Sequence, residues 1–316
     1  MVRPPFEGLV GQDTATALLC RAVEQQRVAP AYLFAGPHGV GRRLAAEQLV
    51  ELLFAPHGAA PSALARRIAQ RNHPDLLWVE PTYLHQGKLM GAAAAADAGI
   101  GRKSPPQTRL AQVRQIAQFL SRPPLEAPRA VVVIEAAETM AEGAANSLLK
   151  TLEEPGQATI ILLAPGPQAL LPTLVSRCQT ISFQRLNRVD MATVLRRVGQ
   201  AEVLEQPQIL AMAQGSPGGA IAAYSQLQGI PADLLTVLQQ PPRTLREALE
   251  QGRQVTKALD TESQLWLLDY LLNWYWQSYS TESSRWLPKL EAAKGHLRRF
   301  VQPRLVWEVM LMALVE

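Results

Sequence analysis

From residue 32 to residue 54 an apolar strand, a glycine-rich loop and a helical segment follow one another without interruption. That order dictates a β–loop–α unit in which a helix N-terminus faces the loop. Tyr32-Leu33-Phe34-Ala35 is the strand, Gly36-Pro37-His38-Gly39-Val40-Gly41-Arg42-Arg43 the loop, and Leu44 to Phe54 has helical apolar spacing. Gly36 and Gly41 hold the two fixed glycines of the phosphate-loop pattern G-x-x-x-x-G-K-[ST], and Gly39 adds backbone freedom. In the intact pattern backbone N–H groups cradle phosphates, the lysine reaches the β- and γ-phosphates, and the hydroxyl binds Mg²⁺. Here both of those side chains are arginine. Arg42 keeps the charge but carries a planar fork that cannot sit under the loop as a compact ammonium does. Arg43 places a cation where the metal would bind, and two unit charges ~4 Å apart repel by roughly 1 to 4 kcal/mol depending on screening. The alternative, a chance glycine turn, is disfavoured by the strand and helix that flank it.

Val131 to Ile134 and Ile160 to Leu163 are continuous apolar runs of the kind buried on both faces of a parallel sheet, and Leu76 to Val79 is a third. Helical patterns at Leu110 to Leu120 and Ala141 to Leu152 lie between them, the latter stopped by Glu153-Glu154-Pro155-Gly156. The alternation predicts an α/β class with a doubly wound parallel sheet and helices on both faces. Residues 84 to 107, with glycines, an alanine run and Pro105-Pro106, read as a mobile surface insertion. Its Arg102-Lys103 pair is read as a solvated loop ahead of a phosphate contact. After Phe183 the strand signals stop and the chain reads as helical to its end. Trp266, Tyr270 and Trp274 recur at four-residue intervals, a stripe read as core or helix-packing surface ahead of base stacking.

The chain has 316 residues, 47% of them hydrophobic, enough for two or three domains with sizeable cores. Its formal charge of +4 permits contact with nucleic acid without requiring it. Cys20 and Cys178 form no C-x-x-C pair and no disulfide framework, so a reducing compartment and no structural zinc are expected. With no signal-peptide pattern and no membrane-length apolar run, the expectation is a soluble, cytoplasmic protein with no membrane partner.

If the loop is a phosphate loop, residues 131 to 138 supply its partner strand, where an aspartate should hold Mg²⁺ through water and the next glutamate should activate the attacking water. Glu135 stands at the first position and Ala136 at the second. An alanine methyl cannot accept a proton. Glu135 is read as a relic acid, salt-bridged to Arg42 or Arg43, with approach to a metal through its longer stem as the alternative.

Three further segments carry a resemblance: Leu9-Val10-Gly11-Gln12, Asn146 to Pro155 (Asn-Ser-Leu-Leu-Lys-Thr-Leu-Glu-Glu-Pro), and Leu171 to Gln179 with Ser176-Arg177-Cys178. Together with the loop they resemble the AAA+ subunits of bacterial clamp loaders, across nearly all of the first 185 residues. The resemblance implies an AAA+ domain at 1–185, a small helical lid at 186–225 and a helical collar for oligomerisation at 226–316. It implies that Arg177 acts in trans as an arginine finger on the ATP of a neighbouring subunit, with Cys178 as packing rather than nucleophile. Two more positions depart from the hydrolysing pattern, Ala164-Pro165 where a polar sensor is usual, and Gly218 where an arginine is usual. The four zinc cysteines found in many such subunits are absent from 55 to 74, where only His57 and His73 remain, and a helix at Ala63 to Ala69 is expected to pack in their place.

The expectation is therefore a non-hydrolysing brace in DNA replication that requires no cofactor and supplies Arg177. The implied partners are the tau/gamma and delta subunits, the sliding clamp, and primed DNA reached through the assembled complex. Two alternatives stay open: a tau/gamma-like ATPase motor in which Arg42 replaces the lysine, and nucleotide binding by Gly36, Gly39, Gly41, Arg42 and Arg43 without turnover.

Overall fold

A computed structural model describes residues 6–55, 62–91, 94–95, 105–279 and 283–315. The chain divides into two compact units, Met1–Val194 and Leu195–Glu316.

The first unit runs α1 (Asp13–Glu24), β1 (Ala31–Ala35), α2 (Arg42–Phe54), α3 (Ser62–Ala69), β2 (Leu76–Val79), β3 (Tyr83–His85) and β4 (Lys88–Met90). It continues through α4 (Leu110–Leu120), β5 (Ala130–Ile134), α5 (Glu142–Glu153), β6 (Ala158–Ala164), α6 (Pro172–Val175) and β7 (Gln179–Ser182). Five strands form one sheet in the order β2-β5-β6-β1-β7, every pair parallel. The three central strands, β5, β6 and β1, are buried along their whole length, as their unbroken apolar sequences require.

Alternate side chains point to opposite faces of a strand, and each face has its own core. Tyr32, Phe34, Val131, Val133, Ile161 and Leu163 pack with Leu19 of α1, Leu49 of α2 and Ile68 of α3. Leu33, Val132, Ile134, Ile160 and Leu162 pack with Ile116 of α4, Leu148 of α5 and Leu174 of α6. The expected helix-covered parallel sheet is present. Removing a fully buried side chain such as Leu148 would cost roughly 2 to 5 kcal/mol.

The segment read as a mobile insertion starts as ordered structure. β3 and β4 pair antiparallel around Gln86-Gly87, both with positive φ (47° and 78°), as a two-residue hairpin turn demands. The base of the excursion is closed by Thr82 and Gln107, which exchange two backbone hydrogen bonds of 3.0 Å. The Arg102-Lys103 pair lies outside the described residues, as does His57. The helix expected at 63 to 69 is present as α3, and near it His73 is a packing residue. It lies 4.5 Å from Phe54, ring centroid to centroid, and its Nδ1 accepts the Asp75 N–H at 3.2 Å.

Helix α7 (Arg188–Arg197) spans the division between the units. The second unit then contains α8 (Pro207–Ala213), α9 (Pro217–Gln228), α10 (Ala232–Leu238), α11 (Leu245–Ala258), α12 (Thr261–Ser278), α13 (Ser283–Arg298) and α14 (Pro303–Val315). Ser216, Thr244 and Asp260 cap α9, α11 and α12 by accepting backbone N–H groups three residues on, the usual way of satisfying a helix's orphan donors. Leu238, Leu267, Tyr275, Leu290 and Trp307 centre its core. The aromatic stripe serves packing. Tyr270 is buried and lies 5.6 Å from Trp266 and 6.3 Å from Trp274, while Gln239 donates to its hydroxyl and accepts from the Trp274 indole. Among the described residues no helix is long and apolar enough to cross a membrane.

Candidate functional site

The phosphate-type loop is built by close backbone approach. A Cβ on Gly36 would lie 2.5 Å from the carbonyl oxygen of Phe183, so only glycine lets the end of β1 run tight against the segment leaving β7. The Gly36 N–H donates to Ala164 O at 3.2 Å, tying the loop to the end of β6. Gly39 and Gly41 have φ of 77° and 104°, and α2 starts immediately afterwards with Arg42 and Arg43 as its first residues. Gln12, from the Leu9 to Gln12 motif, holds the loop from outside. Its buried amide donates to the carbonyls of Val40 (3.3 Å) and Gln184 (2.8 Å), and its oxygen accepts the Gln184 N–H at 2.9 Å.

Beside the loop is a pocket of about 430 Å³ lined by His38, Arg42, Arg43, Glu135, Ala136 and Glu138, among others. Glu135 leaves the end of β5, and its Oε1 accepts the Trp78 indole N–H at 2.7 Å. The same oxygen lies 3.4 Å from Arg71 Nη2 and 3.5 Å from Arg43 Nη1. The expected ion pair between Glu135 and Arg43 is thus present, and two partners that sequence reasoning missed complete it. Arg71 also stacks 4.5 Å above the Trp78 ring and pairs with Glu80. Ala136 occupies a left-handed conformation (φ 45°, ψ 53°) next to the acid.

These residues do not fit a magnesium nucleotide. No hydroxyl follows Arg42, Arg43 projects its charge toward the acid at the metal position, and that acid's Oε1 already accepts from Trp78 and Arg71 and lies 3.5 Å from Arg43. Arg42 behaves differently. Burial lowers its guanidinium from the ordinary value, against the opposing pull of Glu138 and Glu135, and its buried Nη1 has no hydrogen-bond partner in the structure. A buried donor left unmade costs about 1 to 3 kcal/mol, so this corner of the pocket suits an anion.

Arg177 does not line this pocket. It follows α6 on the surface, where its Nε and Nη2 donate to Glu153 Oε1 at 3.1 and 2.6 Å, and its Nη1 donates to Thr173 O at 3.0 Å. Cys178 packs against the sheet core, and burial pushes its thiol up to about 11, which suits the packing role and not that of a nucleophile. In the second unit, Gly218 lies in the first turn of α9 directly behind the Ser216 cap. The pairings of Trp78, Arg71 and Glu153 carried no local signal, because each residue meets its partner only through the tertiary fold.

Comparison with known proteins places this geometry. The family model described as "DNA polymerase III, delta subunit" matches residues 11–187, and "Cyanobacterial DNA polymerase III delta prime, C-terminal domain" matches 189–314. A DNA polymerase III subunit delta' of Bacillus subtilis is 35% identical over 180 residues, covering 55% of this chain and 48% of the relative. One from Pseudomonas aeruginosa is 32% identical over 207 residues, covering 63% and 56%. DNA polymerase III subunit tau of B. subtilis is 27% identical over 243 residues, covering 73% and 39%. The chain thus spans about half the length of these curated relatives, or less. A crystal structure of a DNA polymerase III gamma subunit-related protein from Thermotoga maritima shares the fold, with a TM-score of 0.53 at 17% identity over 95% of this chain and 98% of that one. With family models covering both units in turn, the chain belongs to the DNA polymerase III delta-prime family.

Proposed function

We propose that the chain is the delta-prime subunit of a clamp loader, a non-hydrolysing brace that lends Arg177 to the ATP site of a tau/gamma neighbour while the sliding clamp is loaded onto primed DNA. The observation that carries this reading is the contrast between the two sets of arginines. Arg43 and Arg71 both reach Glu135 beside the chain's own pocket, whereas Arg177, in the Ser-Arg-Cys segment, does not line that pocket and pairs instead with the half-exposed carboxylate of Glu153. Five parts of a hydrolytic site are replaced together: Arg42 for the lysine, Arg43 for the hydroxyl, Ala136 for the base, Ala164 for the sensor and Gly218 for the second-domain arginine. Losses concentrated in one machine, beside a retained trans-acting residue, support a subunit that assists hydrolysis next door. The motor alternative needs a base near Ala136, and Glu135, the adjacent acid, already accepts two hydrogen bonds at Oε1 and pairs with Arg43.

In this reading 1–185 is the AAA+ domain, 186–225 the lid and 226–316 the collar that joins the tau/gamma and delta subunits. The protein works in the cytoplasm and needs no cofactor or zinc of its own. Lys150 on α5 and Arg114 on α4 are exposed and available to phosphates of DNA in the assembled complex, a contact that would weaken steeply with salt. The purified chain should show no ATPase. Adding it to tau/gamma and delta should restore DNA-stimulated turnover, and Arg177→Ala should lower that turnover while assembly persists. Arginine fingers supply roughly three to five orders of magnitude in GTPases. A mutant complex that hydrolyses ATP at the normal rate would refute the trans role.

The unpartnered Arg42 Nη1 favours a second reading, nucleotide binding without turnover. Labelled ATP should then bind the isolated chain without magnesium, and Arg42→Gln should abolish it. No measurable binding to the unmodified chain rejects this reading.

A further inference from the structure

We infer that Glu153 is a competing anion that parks Arg177, so that a phosphate presented by a neighbouring subunit must displace it before the finger can act. The inference rests on the finger reading above and adds a restraint to it. The guanidinium has five N–H donors. Nε and Nη2 both donate to Glu153 Oε1, at 3.1 and 2.6 Å, and Nη1 donates to Thr173 O at 3.0 Å and to Ser176 Oγ at 3.4 Å. Four donors are thereby engaged within the chain. A bidentate grip on phosphate uses two parallel N–H groups of the fork, and the Nε/Nη2 edge that would provide them faces the carboxylate. Carboxylate and phosphate therefore exclude one another at that edge.

The hold is weak enough to yield. Arg177 and Glu153 side chains are 36% and 51% exposed, and exposed ion pairs are screened and contribute little. A phosphate brings more negative charge and more acceptor oxygens than a carboxylate, so it wins the fork when it is close and loses it when it is absent. Glu153 is the last residue of α5, directly ahead of the Glu154-Pro155 stop, and α5 and α6 belong to one core through Leu148, Leu152 and Leu174. The carboxylate is thus presented from a rigid element at a fixed distance from the finger, as a positioning residue requires. Its effect is to keep Arg177 folded against its own subunit before assembly.

The test uses Glu153→Gln, which keeps the side chain's shape and removes its charge, in the full chain and in the complex with tau/gamma and delta. In the isolated chain, the Nε–H resonance of Arg177, identified by its loss in Arg177→Ala, should exchange with solvent about two- to fivefold faster in the Gln variant. In the complex without DNA, kcat/KM for ATP should rise by a similar factor, and the gap should close as salt is raised from low to moderate concentration. The double variant with Arg177→Ala should match Arg177→Ala alone. Unchanged Nε–H exchange overturns the parking contact, and a fall in turnover in Glu153→Gln shows that Glu153 supports the finger and overturns the restraint. Normal turnover in Arg177→Ala sinks the finger reading itself, an outcome the exchange measurement distinguishes from loss of the contact.

Discussion

Replacing Asp75 with asparagine should lower the stability of the first unit by about 3 to 5 kcal/mol, because this buried carboxylate organises the entry to the strand that leads to Glu135. Its Oδ1 accepts the Leu125 N–H at 2.6 Å, and its Oδ2 accepts those of Glu126 (2.8 Å) and Ala127 (2.7 Å). The Asp75 carbonyl takes the Val131 N–H at 2.8 Å, so the same residue registers β2 against β5. Trp78 and Glu135 meet at the far ends of those strands. An asparagine amide oriented to keep the two Oδ2 bonds leaves the Leu125 N–H facing an NH₂ group, a lost buried bond worth about 1 to 3 kcal/mol. The two surviving bonds fall from charge-assisted to neutral strength, about 1 kcal/mol each. Thermal unfolding followed by circular dichroism should therefore show a fall of roughly 6 to 20 °C in Tm for a unit of this size. The pH dependence has a definite sign. Burial alone would raise the Asp75 carboxyl, but the backbone donors of Leu125, Ala127 and Glu126, helped by His73, outweigh it and hold the group below its ordinary value of 3.8. A carboxyl depressed in the folded state contributes stability above its unfolded value and loses it as pH falls through the folded one. The Tm difference between the unmodified chain and the Asp75→Asn variant should be constant near neutrality and shrink only below about pH 4. A change in Tm under about 2 °C, or a difference that grows on acidification, would refute the reasoning.

Gly36→Ala should cost about 1 to 3 kcal/mol, since its Cβ would stand 2.5 Å from a backbone oxygen that has no free rotamer to escape to. Gly143→Ala, at an exposed helical glycine with no atom within 4 Å of the added carbon, should be neutral or stabilising by up to about 1 kcal/mol; denaturant titration of the two variants reads both. Restoring the loop motif with Arg42→Lys and Arg43→Thr should not confer ATPase on the isolated chain, because Ala136 still offers no base. Phosphate release above background from that double variant would show that the defect lies in the loop alone.

The sheet was legible where burial on both faces leaves an unbroken apolar run, as in β1, β5 and β6. β7 escaped notice because it is an edge strand, Gln179-Thr180-Ile181-Ser182, in which only Ile181 is buried. The hairpin at 83 to 90 was equally opaque: its strands have three residues each, and Leu84 and Leu89 are exposed, so no periodicity marks it. Motif spacing singled out Arg42, Arg43, Glu135 and Ala136, and the family resemblance singled out Arg177, since each belongs to a local pattern. It could not find Trp78 and Arg71, which lie 57 and 64 residues before Glu135, or the pairing of Glu153 with Arg177 across 24 residues.

Those tertiary partners change what the arginines of the loop mean energetically. Arg43, Arg42 and Arg71 gather positive charge at this site, and several acids share its offset: Glu47 pairs with Arg43, Glu80 pairs with Arg71, and Glu138 acts on Arg42. Glu135 adds to that offset, and the Trp78 indole fixes the carboxylate where Arg71 and Arg43 both reach it. Glu135 acts here as a structural anion, and under the proposed non-hydrolysing reading a mutation that placed only a hydroxyl at Arg43 would remove a partner from this cluster without restoring chemistry. Arg177 lies outside this cluster: its carboxylate partner Glu153 is half exposed, so Arg177 can change partners without disturbing the contacts of Glu135.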